Sequence, residues 1–259
     1  MESDRKMNKE IDNTGSCRQN CPALRQLNLH YHYFVSKISH EIRNPLTLVY
    51  SSLQLMEKEQ PKVCASPLWS QIKYDLEDTL RLLADLSSLN NSGSLNPEPL
   101  DLQKFLQDTA ASCRSFLAQH EILLTLQTAP SLPTISADRR RLKEALLNLI
   151  HNGADALSEK QENRRLLLAA ALDQGCVRIH VKDNGCGIPA EYRDSILEPF
   201  VTHKPGGTGL GLSIAKSIVS HHGGELSFTT STSTPGSFTD FCISLPAESL
   251  HSQGQEPAQ

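Results

Sequence analysis

At 259 residues the chain is long enough for two modest domains or one large domain. Charged residues make up 21% and hydrophobic residues 38%, a balance typical of a soluble folded protein rather than a disordered one. The formal net charge of −4 offers no basic excess to neutralise phosphates, which argues against a nucleic-acid-binding protein.

The seven cysteines are scattered along the chain, and no two of them form a CxxC pair. Such usage suits a reducing compartment, so we expect a cytoplasmic protein without a disulfide framework. Cys17 and Cys21, followed by His30 and His32, could supply ligands for a metal ion, although their spacing matches no standard zinc pattern.

The two ends of the chain are expected to be flexible. Residues 1–22 and 248–259 are polar and show no hydrophobic periodicity. The first of these segments also lacks the apolar core of a signal peptide. The longest apolar run, residues 166–172, is far too short to cross a bilayer, so we expect no membrane segment.

Two amphipathic helices are predicted within residues 23–91. Apolar residues recur every three or four positions from Val35 to Met56, and again from Leu68 to Leu89. Helices joined by about ten residues form an antiparallel hairpin. Because a hairpin cannot cover both apolar stripes by itself, we expect a homodimer in which two hairpins form a four-helix bundle.

The first helix is interrupted by a proline within the motif SHEIRNPL, residues 39–46. Pro45 has no N–H, so the carbonyl of Glu41 loses its helical partner and the helix should bend there, at a cost of about 3 kcal/mol. His40 is turned about 200° from the apolar stripe, and Asn44 lies on its face one turn away. An exposed imidazole can attack phosphorus while an adjacent carboxylate accepts its other proton, although a plain surface histidine also fits.

The pattern of apolar residues changes after a linker, residues 92–100. Residues 101–247 are expected to form an α+β domain with helices layered on one sheet. The predicted elements are a helix over 101–119, strands over 121–128 and 132–137, a helix capped by Asp138, a hairpin over 164–183 turning at Gln174 and Gly175, a helix ending near His222, and strands over 223–230 and 236–246.

Polar groups and glycines of this second domain point to a nucleotide. Glu144, Asn148 and Asn152 lie on one face of the helix that follows Asp138, where they can meet a triphosphate and an amide oxygen can bind Mg²⁺. Asp183 ends a strand in the motif DNGCGI. Gly185 and Gly187 let the backbone approach a ligand closely. Gly206, Gly207, Gly209 and Gly211, with Thr208 and Leu210 between them, immediately precede a helix, where exposed N–H groups can bind phosphate.

Each of these motifs alone also fits a tight turn or a solvated face, but their ordered set resembles the histidine kinases of two-component signalling. SHEIRNPL is similar to the family's H-box, NLIHNGADAL to its N-box, DNGCGI to its G1 box, EPFVTHK to its F-box and GGTGLGLSIAKSIV to its G2 box. The resemblance implies a dimerisation hairpin carrying a phosphoaccepting histidine, followed by an α/β sandwich of the Bergerat type that binds ATP.

The resemblance also implies roles for individual residues of the hairpin. His40 accepts the γ-phosphoryl group and Glu41 assists as a base. The phosphoryl group then passes to an aspartate on the receiver domain of a response regulator. Glu41 and Asn44 resemble the motif with which some members dephosphorylate that partner. The signal could enter through an upstream sensor protein, through the region of Cys17 and Cys21, or through the helix around His30 and His32.

In the nucleotide-binding domain, the resemblance assigns Asn152 to Mg²⁺, with Asn148 beside it near the phosphates. Asp183 receives the adenine amino group. Phe200 belongs to a mobile lid over the nucleotide, and Lys204 lies near the phosphates. The glycines of residues 206–211 wrap the triphosphate.

Two departures bear on the activity. Gly153 stands where the family usually has alanine. Asn148 stands where the related gyrase and chaperone ATPases carry a water-activating glutamate, and an asparagine cannot act as a general base, which favours transfer over hydrolysis. Two alternatives remain: a serine kinase or ATPase built on the same nucleotide fold, and a degenerate, non-catalytic dimeric scaffold.

Overall fold

The computed structural model describes residues 22–60, 64, 66–91, 95–158, 160, 162–204, 207–233 and 235–247. The predictions about the chain ends, about Cys17 and Cys21 as ligands, and about Gly206 lie outside these residues. The side chains of His30, His32 and His40 also lie outside the described part. The chain divides into two compact units, Met1–Asn91 and Ser92–Gln259.

The first unit is an α-helical hairpin made of α1 (Pro22–Glu59) and α2 (Pro67–Asn91). Pro45 lies inside α1, which is helical on both sides of it. Pro67 is the first residue of α2, a position that suits proline because the first turn of a helix does not use its N–H groups in internal bonds. The predicted pair of helices is therefore present.

The apolar residues of the hairpin form two rows rather than the single stripe per helix that the sequence predicted. In one row the side chains are buried or half-buried, namely Leu46, Leu53, Leu76, Leu80 and Leu83. In the other they are exposed in this single chain, namely Ile38, Ile42, Val49, Met56, Leu68 and Ile72. The first row packs between α1 and α2. The second row leaves an exposed apolar face that a partner could cover.

The second unit is an α/β sandwich built on a five-stranded sheet of order β2-β4-β5-β7-β6. Strand β2 is parallel to β4, and the other neighbours are antiparallel. The elements in chain order are β1 (Glu98–Asp101), α3 (Leu102–Gln119), β2 (Leu123–Thr128), β3 (Thr134–Ala137), α4 (Arg139–Ala156), β4 (Arg165–Asp173), β5 (Cys176–Asp183), a 3₁₀ turn (Ala190–Tyr192), α5 (Gly211–His221), β6 (Glu225–Ser231) and β7 (Phe238–Pro246).

One face of this sheet is covered and the other is open. Along β5 the buried residues Val177, Ile179 and Val181 alternate with the less buried Arg178 and His180, the pattern of a sheet covered on one side. Helices α3, α4 and α5 each contribute a buried apolar face to the same core. The predicted fold class, a helical hairpin followed by an α/β sandwich, is confirmed.

Local signals in the sequence identified two boundaries correctly. The Asp138 side chain accepts a hydrogen bond from the Arg141 N–H at 3.0 Å and caps α4, as predicted. Gln174 and Gly175 both have positive φ, 50° and 79°, and connect β4 to β5 as the predicted two-residue turn.

Two local features differ from the sequence analysis. The predicted linker extended through residue 100, whereas Glu98–Asp101 forms β1 and pairs antiparallel with β3, because Leu100 is buried opposite Ile135. Proline at residue 99 is compatible with a strand in this small two-stranded sheet. The second difference is Arg141, which is buried beside Glu144 although the sequence analysis assigned no basic residue to the interior.

Candidate active site

Helix α4 presents the polar face that the sequence predicted. Glu144, Asn148 and Asn152 are half-buried along it, while the opposite side is fully buried through Leu142, Ala145, Leu146, Leu149 and Ile150. Asn148 lies beside the first residue of α5, since a Cβ placed on Gly211 would be 3.8 Å from the Asn148 amide. The Glu144 carboxylate is bonded to the Arg141 guanidinium at 3.1 Å.

Asp183 lies at the end of β5 with only 3% of its surface exposed. Its Oδ1 accepts a hydrogen bond from the Gly185 N–H at 2.8 Å. Burial raises the pKa of this carboxyl to about 6, because the charged form loses its contact with water. A deeply placed carboxylate of this kind can recognise an amino group with high selectivity, since it has few other partners.

Gly153 lies directly beneath Asp183. A Cβ at this position would be 3.5 Å from the Asp183 Cβ and 3.0 Å from the Leu166 Cδ1. The glycine that replaces the family's usual alanine therefore leaves room next to the buried carboxylate. Gly153 of helix α4 and Asp183 of strand β5, which are thirty residues apart in sequence, meet at this point.

The glycines of the two motifs are required first by the protein's own backbone. At Gly187, with φ of 76°, a Cβ would lie 2.1 Å from the Ser231 carbonyl oxygen. At Gly209, with φ of 68°, it would lie 2.6 Å from the carbonyl carbon of Phe200. Side chains are excluded at both positions by sterics and by the left-handed backbone. The sequence analysis interpreted these glycines through the approach of a ligand, with a tight turn as the alternative, and did not identify these contacts with Ser231 and Phe200.

The segment around Phe200 is anchored at two points. The Phe200 N–H donates to the Gly209 carbonyl at 3.0 Å, and Phe200 itself has a positive φ of 65° and is 63% exposed. The His203 ring stacks on Tyr192 with 3.6 Å between centroids. These contacts place Phe200 and Lys204 next to the N-terminal end of α5 and the C-terminal half of α4.

The side chain of Lys204 packs against the polar face of α4. Its Nζ donates to Asn152 Oδ1 at 2.6 Å and to Asp155 Oδ2 at 3.1 Å. The structure thus brings the predicted phosphate-binding lysine onto the predicted magnesium ligand. The sequence analysis did not identify Asp155, although its position three residues after Asn152, on the same side of the helix, was the available signal.

The hairpin holds the other predicted site residues. His40 lies in α1. Glu41 and Asn44 are exposed, and the Glu41 carboxylate is 4.0 Å from the Lys37 ammonium. Arg43, which the sequence analysis did not identify, extends to α2, where its Nη2 donates to the Leu83 carbonyl at 2.8 Å and to the Ser87 hydroxyl at 3.0 Å.

The polar groups of the second unit are suitable for binding ATP and a hard cation such as Mg²⁺. Asp183 is an acceptor for an amino group, and the N-cap residue Leu210 makes no side-chain capping bond to α5, whose N-terminal amides suit phosphate. The amide oxygen of Asn152 is a ligand type that Mg²⁺ accepts, and Mg²⁺ commonly uses few protein ligands. Among the described residues there is no group of three or more His, Cys, Asp or Glu side chains that could hold a metal.

None of the described helices has the length and apolar character needed to span a membrane.

Two family models match the chain. The His Kinase A (phospho-acceptor) domain matches residues 32–95, and the Histidine kinase-, DNA gyrase B-, and HSP90-like ATPase matches residues 137–249. Among curated proteins, the sensory histidine kinase/phosphatase NtrB of Vibrio alginolyticus is 32% identical over 224 residues, covering 82% of this chain and 61% of that protein. NtrB of Klebsiella oxytoca is 31% identical with the same coverage. The chain therefore spans 61% of the length of these relatives.

Solved structures of histidine kinases have a similar fold. Full-length ShkA in complex with AMPPNP aligns with a TM-score of 0.68 at 28% identity, covering 83% of this chain and 45% of ShkA. The catalytic domain of the histidine kinase ThkA aligns at 0.52 with 27% identity over 59% of this chain and 96% of that one. ThkA in complex with the response regulator TrrA aligns at 0.59 with 22% identity, which shows the fold alone, over 95% of this chain and 66% of that one.

Proposed function

The chain belongs to the histidine kinases of two-component signalling, and on that basis we propose that it is an ATP-dependent protein-histidine kinase. In this proposal His40 takes the γ-phosphoryl group from Mg-ATP. It then gives this group to an aspartate on the receiver domain of a response regulator. The match of residues 32–95 to a phosphoacceptor domain does not favour the alternative of a serine kinase or ATPase.

One observation carries the proposal: segments far apart in the sequence converge on α4. The start of α5 lies beside Asn148, Lys204 contacts Asn152, and Asp183 lies over Gly153. Adenine, magnesium and phosphate groups of one nucleotide could thus be met by adjacent side chains. A single structural requirement, such as a turn, would not explain why all three meet there.

Asp183 orients the adenine in this proposal. Its carboxylate accepts a hydrogen bond from the exocyclic amino group, and the Gly185 N–H fixes the direction of the carboxylate. A buried acceptor distinguishes an amino group from a keto group, because a keto oxygen would face the carboxylate without a proton between them. This chain is therefore expected to prefer ATP to GTP.

Asn152 and Lys204 act on the phosphates. Mg²⁺, when bound, neutralises the charge that develops during phosphoryl transfer. We assign Asn152 as its protein ligand and Asn148 as a neighbour of the phosphates. The N–H groups of residues 207–211 would bind the phosphate oxygens at the start of α5, and Phe200 and Thr208 belong to the segment that covers them. Glu144, already bonded to Arg141, is assigned to the outer end of this polar face.

The chemical step is an in-line transfer to His40. An imidazole nitrogen forms the bond to the γ-phosphorus as the bond to the β,γ-bridging oxygen breaks and ADP leaves. Glu41 accepts the proton from the other ring nitrogen. Because Asn148 cannot remove a proton from water, hydrolysis has no general base at that position.

The exposed apolar row of the hairpin supports a homodimer. Its side chains include Ile42, which is 43% exposed, and Leu68, which is 67% exposed. Burying such a row against a second copy would remove this surface from water, as in a four-helix bundle. We also propose that the receiver domain docks on the hairpin near His40, that an upstream protein supplies the signal, and that the protein acts in the cytoplasm.

Regulator dephosphorylation is a second candidate activity. The NtrB relatives carry the name histidine kinase/phosphatase. Asn44 is exposed next to Glu41 on α1, where its amide could orient a water molecule toward the phosphoaspartate of a docked receiver. Replacement Asn44→Ala should slow the loss of phosphate from a phosphorylated partner regulator more than it slows autophosphorylation.

The test of the kinase proposal is incubation with γ-labelled ATP and Mg²⁺, comparing wild type with His40→Gln. Acid-labile, base-stable label that is absent from the variant supports a phosphohistidine at residue 40. Label that survives acid, or that persists in His40→Gln, contradicts the proposal and favours a serine kinase. Binding of ATP without any label would favour the scaffold alternative.

A further inference from the structure

Lys204 is held at a position that magnesium would need. Its ammonium contacts Asn152 Oδ1 at 2.6 Å, Asn152 O at 3.4 Å and Asp155 Oδ2 at 3.1 Å. These oxygens belong to two residues one turn apart on α4. The ammonium therefore lies on the oxygen that the proposed function assigns to the metal.

The two cations cannot share this oxygen at low cost. Mg²⁺ binds oxygen at about 2.1 Å, so an ammonium 2.6 Å from the same atom would be within about 5 Å of the metal. Repulsion between a monovalent and a divalent cation at that distance is large unless anions lie between them. Lys204 must leave Asn152 when Mg²⁺ binds, and the phosphates that arrive with the metal offer it a new partner.

Asp155 is placed to hold the lysine before that exchange. It lies in the last turn of α4, where the exposed helix carbonyls disfavour a carboxylate and a nearby cation offsets this effect. The neighbouring residue His203 is stacked on Tyr192, which restrains the backbone next to Lys204 independently of the ion pair. The side chain of Lys204 is 42% exposed and that of Asp155 is 59% exposed, so the ion pair is weak enough to be broken by a ligand.

We propose that Asp155 is a positioning residue that holds Lys204 over Asn152 while the nucleotide site is empty and releases it when Mg²⁺ takes the amide oxygen. This inference rests on the proposed function, because it needs the metal to bind at Asn152. Its consequence is that Lys204 reaches the phosphates by a short side-chain movement rather than by a search through solvent.

The test measures hydrogen exchange of the Phe200 and Lys204 amides, which donate to Gly209 O and Thr202 Oγ1. In nucleotide-free protein, Asp155→Asn should increase their exchange about two- to fivefold, the range expected for loss of an exposed ion pair. Asp155→Glu, which keeps the charge, should restore slow exchange.

Glu198→Gln is the matched control. It makes the same charge change and breaks another exposed ion pair close by, between Lys216 and Glu198 at 3.6 Å. It should leave the exchange of the Lys204 amide unchanged. An equal increase in this control would overturn the proposal, since it would attribute the effect to net charge.

The same samples are then saturated with Mg²⁺ and AMP-PNP, with binding measured by calorimetry. The difference between wild type and Asp155→Asn should disappear, because Lys204 no longer contacts residue 155 in either protein. A difference that persists, or the absence of any difference without nucleotide, overturns the inference. Failure of wild type to bind AMP-PNP would instead contradict the proposed function, so the two failures can be distinguished.

Discussion

Protonation of Asp183 should control nucleotide affinity near pH 6. Burial raises the pKa of this carboxyl from 3.8 to about 6. The ionised form is the better acceptor for the adenine amino group, so binding of ATP requires loss of the proton at low pH. We expect affinity to be constant above pH 7 and to fall by up to about tenfold per pH unit below 6.

The same pKa shift also affects stability. Affinity for ATP should rise with pH, whereas the contribution of Asp183 to stability should fall. A carboxyl whose folded pKa is raised favours the folded state below its unfolded pKa, and this contribution is lost as the pH rises through about 6. The shift of about two units corresponds to about 3 kcal/mol. Asp183→Asn, which cannot ionise, should therefore raise the free energy of unfolding at pH 7.5 by about 1–3 kcal/mol and change it little at pH 4.

Two measurements check this reasoning. Calorimetric titration with ADP between pH 5 and 8 gives the affinity of wild type, and chemical denaturation at pH 4 and 7.5 gives the stability of both proteins. The expected variant binds ADP weakly at every pH and is more stable at pH 7.5. A wild-type affinity that does not change between pH 5 and 7, or a variant that is less stable at pH 7.5, would refute the assignment of Asp183 as a buried, ionised acceptor.

Three further predictions follow from the geometry of both units. Gly209→Ala should abolish ADP binding in calorimetry, because its Cβ would clash with the Phe200 backbone, whereas Gly175→Ala, which also has a positive φ but no atom within 4 Å of the added Cβ, should retain it. Arg43→Ala should lower the free energy of unfolding of the hairpin by about 1–3 kcal/mol in denaturant titrations, through loss of two hydrogen bonds to α2; an unchanged midpoint would contradict this. Ile42→Glu should shift the protein toward monomer in sedimentation, and a stable dimer would argue against the exposed row as the interface.

The features that could be predicted from the sequence are those set by neighbouring residues. The cap at Asp138 depends on the N–H of a residue three positions away, and the turn at Gln174 and Gly175 depends on two adjacent backbone conformations. The alternation along β5 predicts its buried face in the same way. Short-range signals of this kind identified the helices, the main sheet and the nucleotide-binding motifs.

The features that could not be predicted depend on partners distant in sequence. Arg43 contacts residues forty or more positions away, and Lys204 contacts Asp155 across 49 positions. Strand β1 is another case, since its pairing with β3 overrides a composition typical of a linker. Nothing in the local pattern specifies which polar side chains will meet once the sheet and helices have packed.

Two features that lower the stability of the free protein lie within the proposed nucleotide site. Asp183 is a buried carboxyl, and Phe200 has a positive φ that a residue with a Cβ rarely adopts. A sequence under selection for stability alone would replace the first with a neutral residue and the second with glycine. Their presence together is explained if a ligand recovers the cost: an adenine amino group for the carboxylate, and a bound triphosphate for the segment held between Phe200 and Gly209. The unfavourable residues therefore support the nucleotide site independently of the motifs that first indicated it.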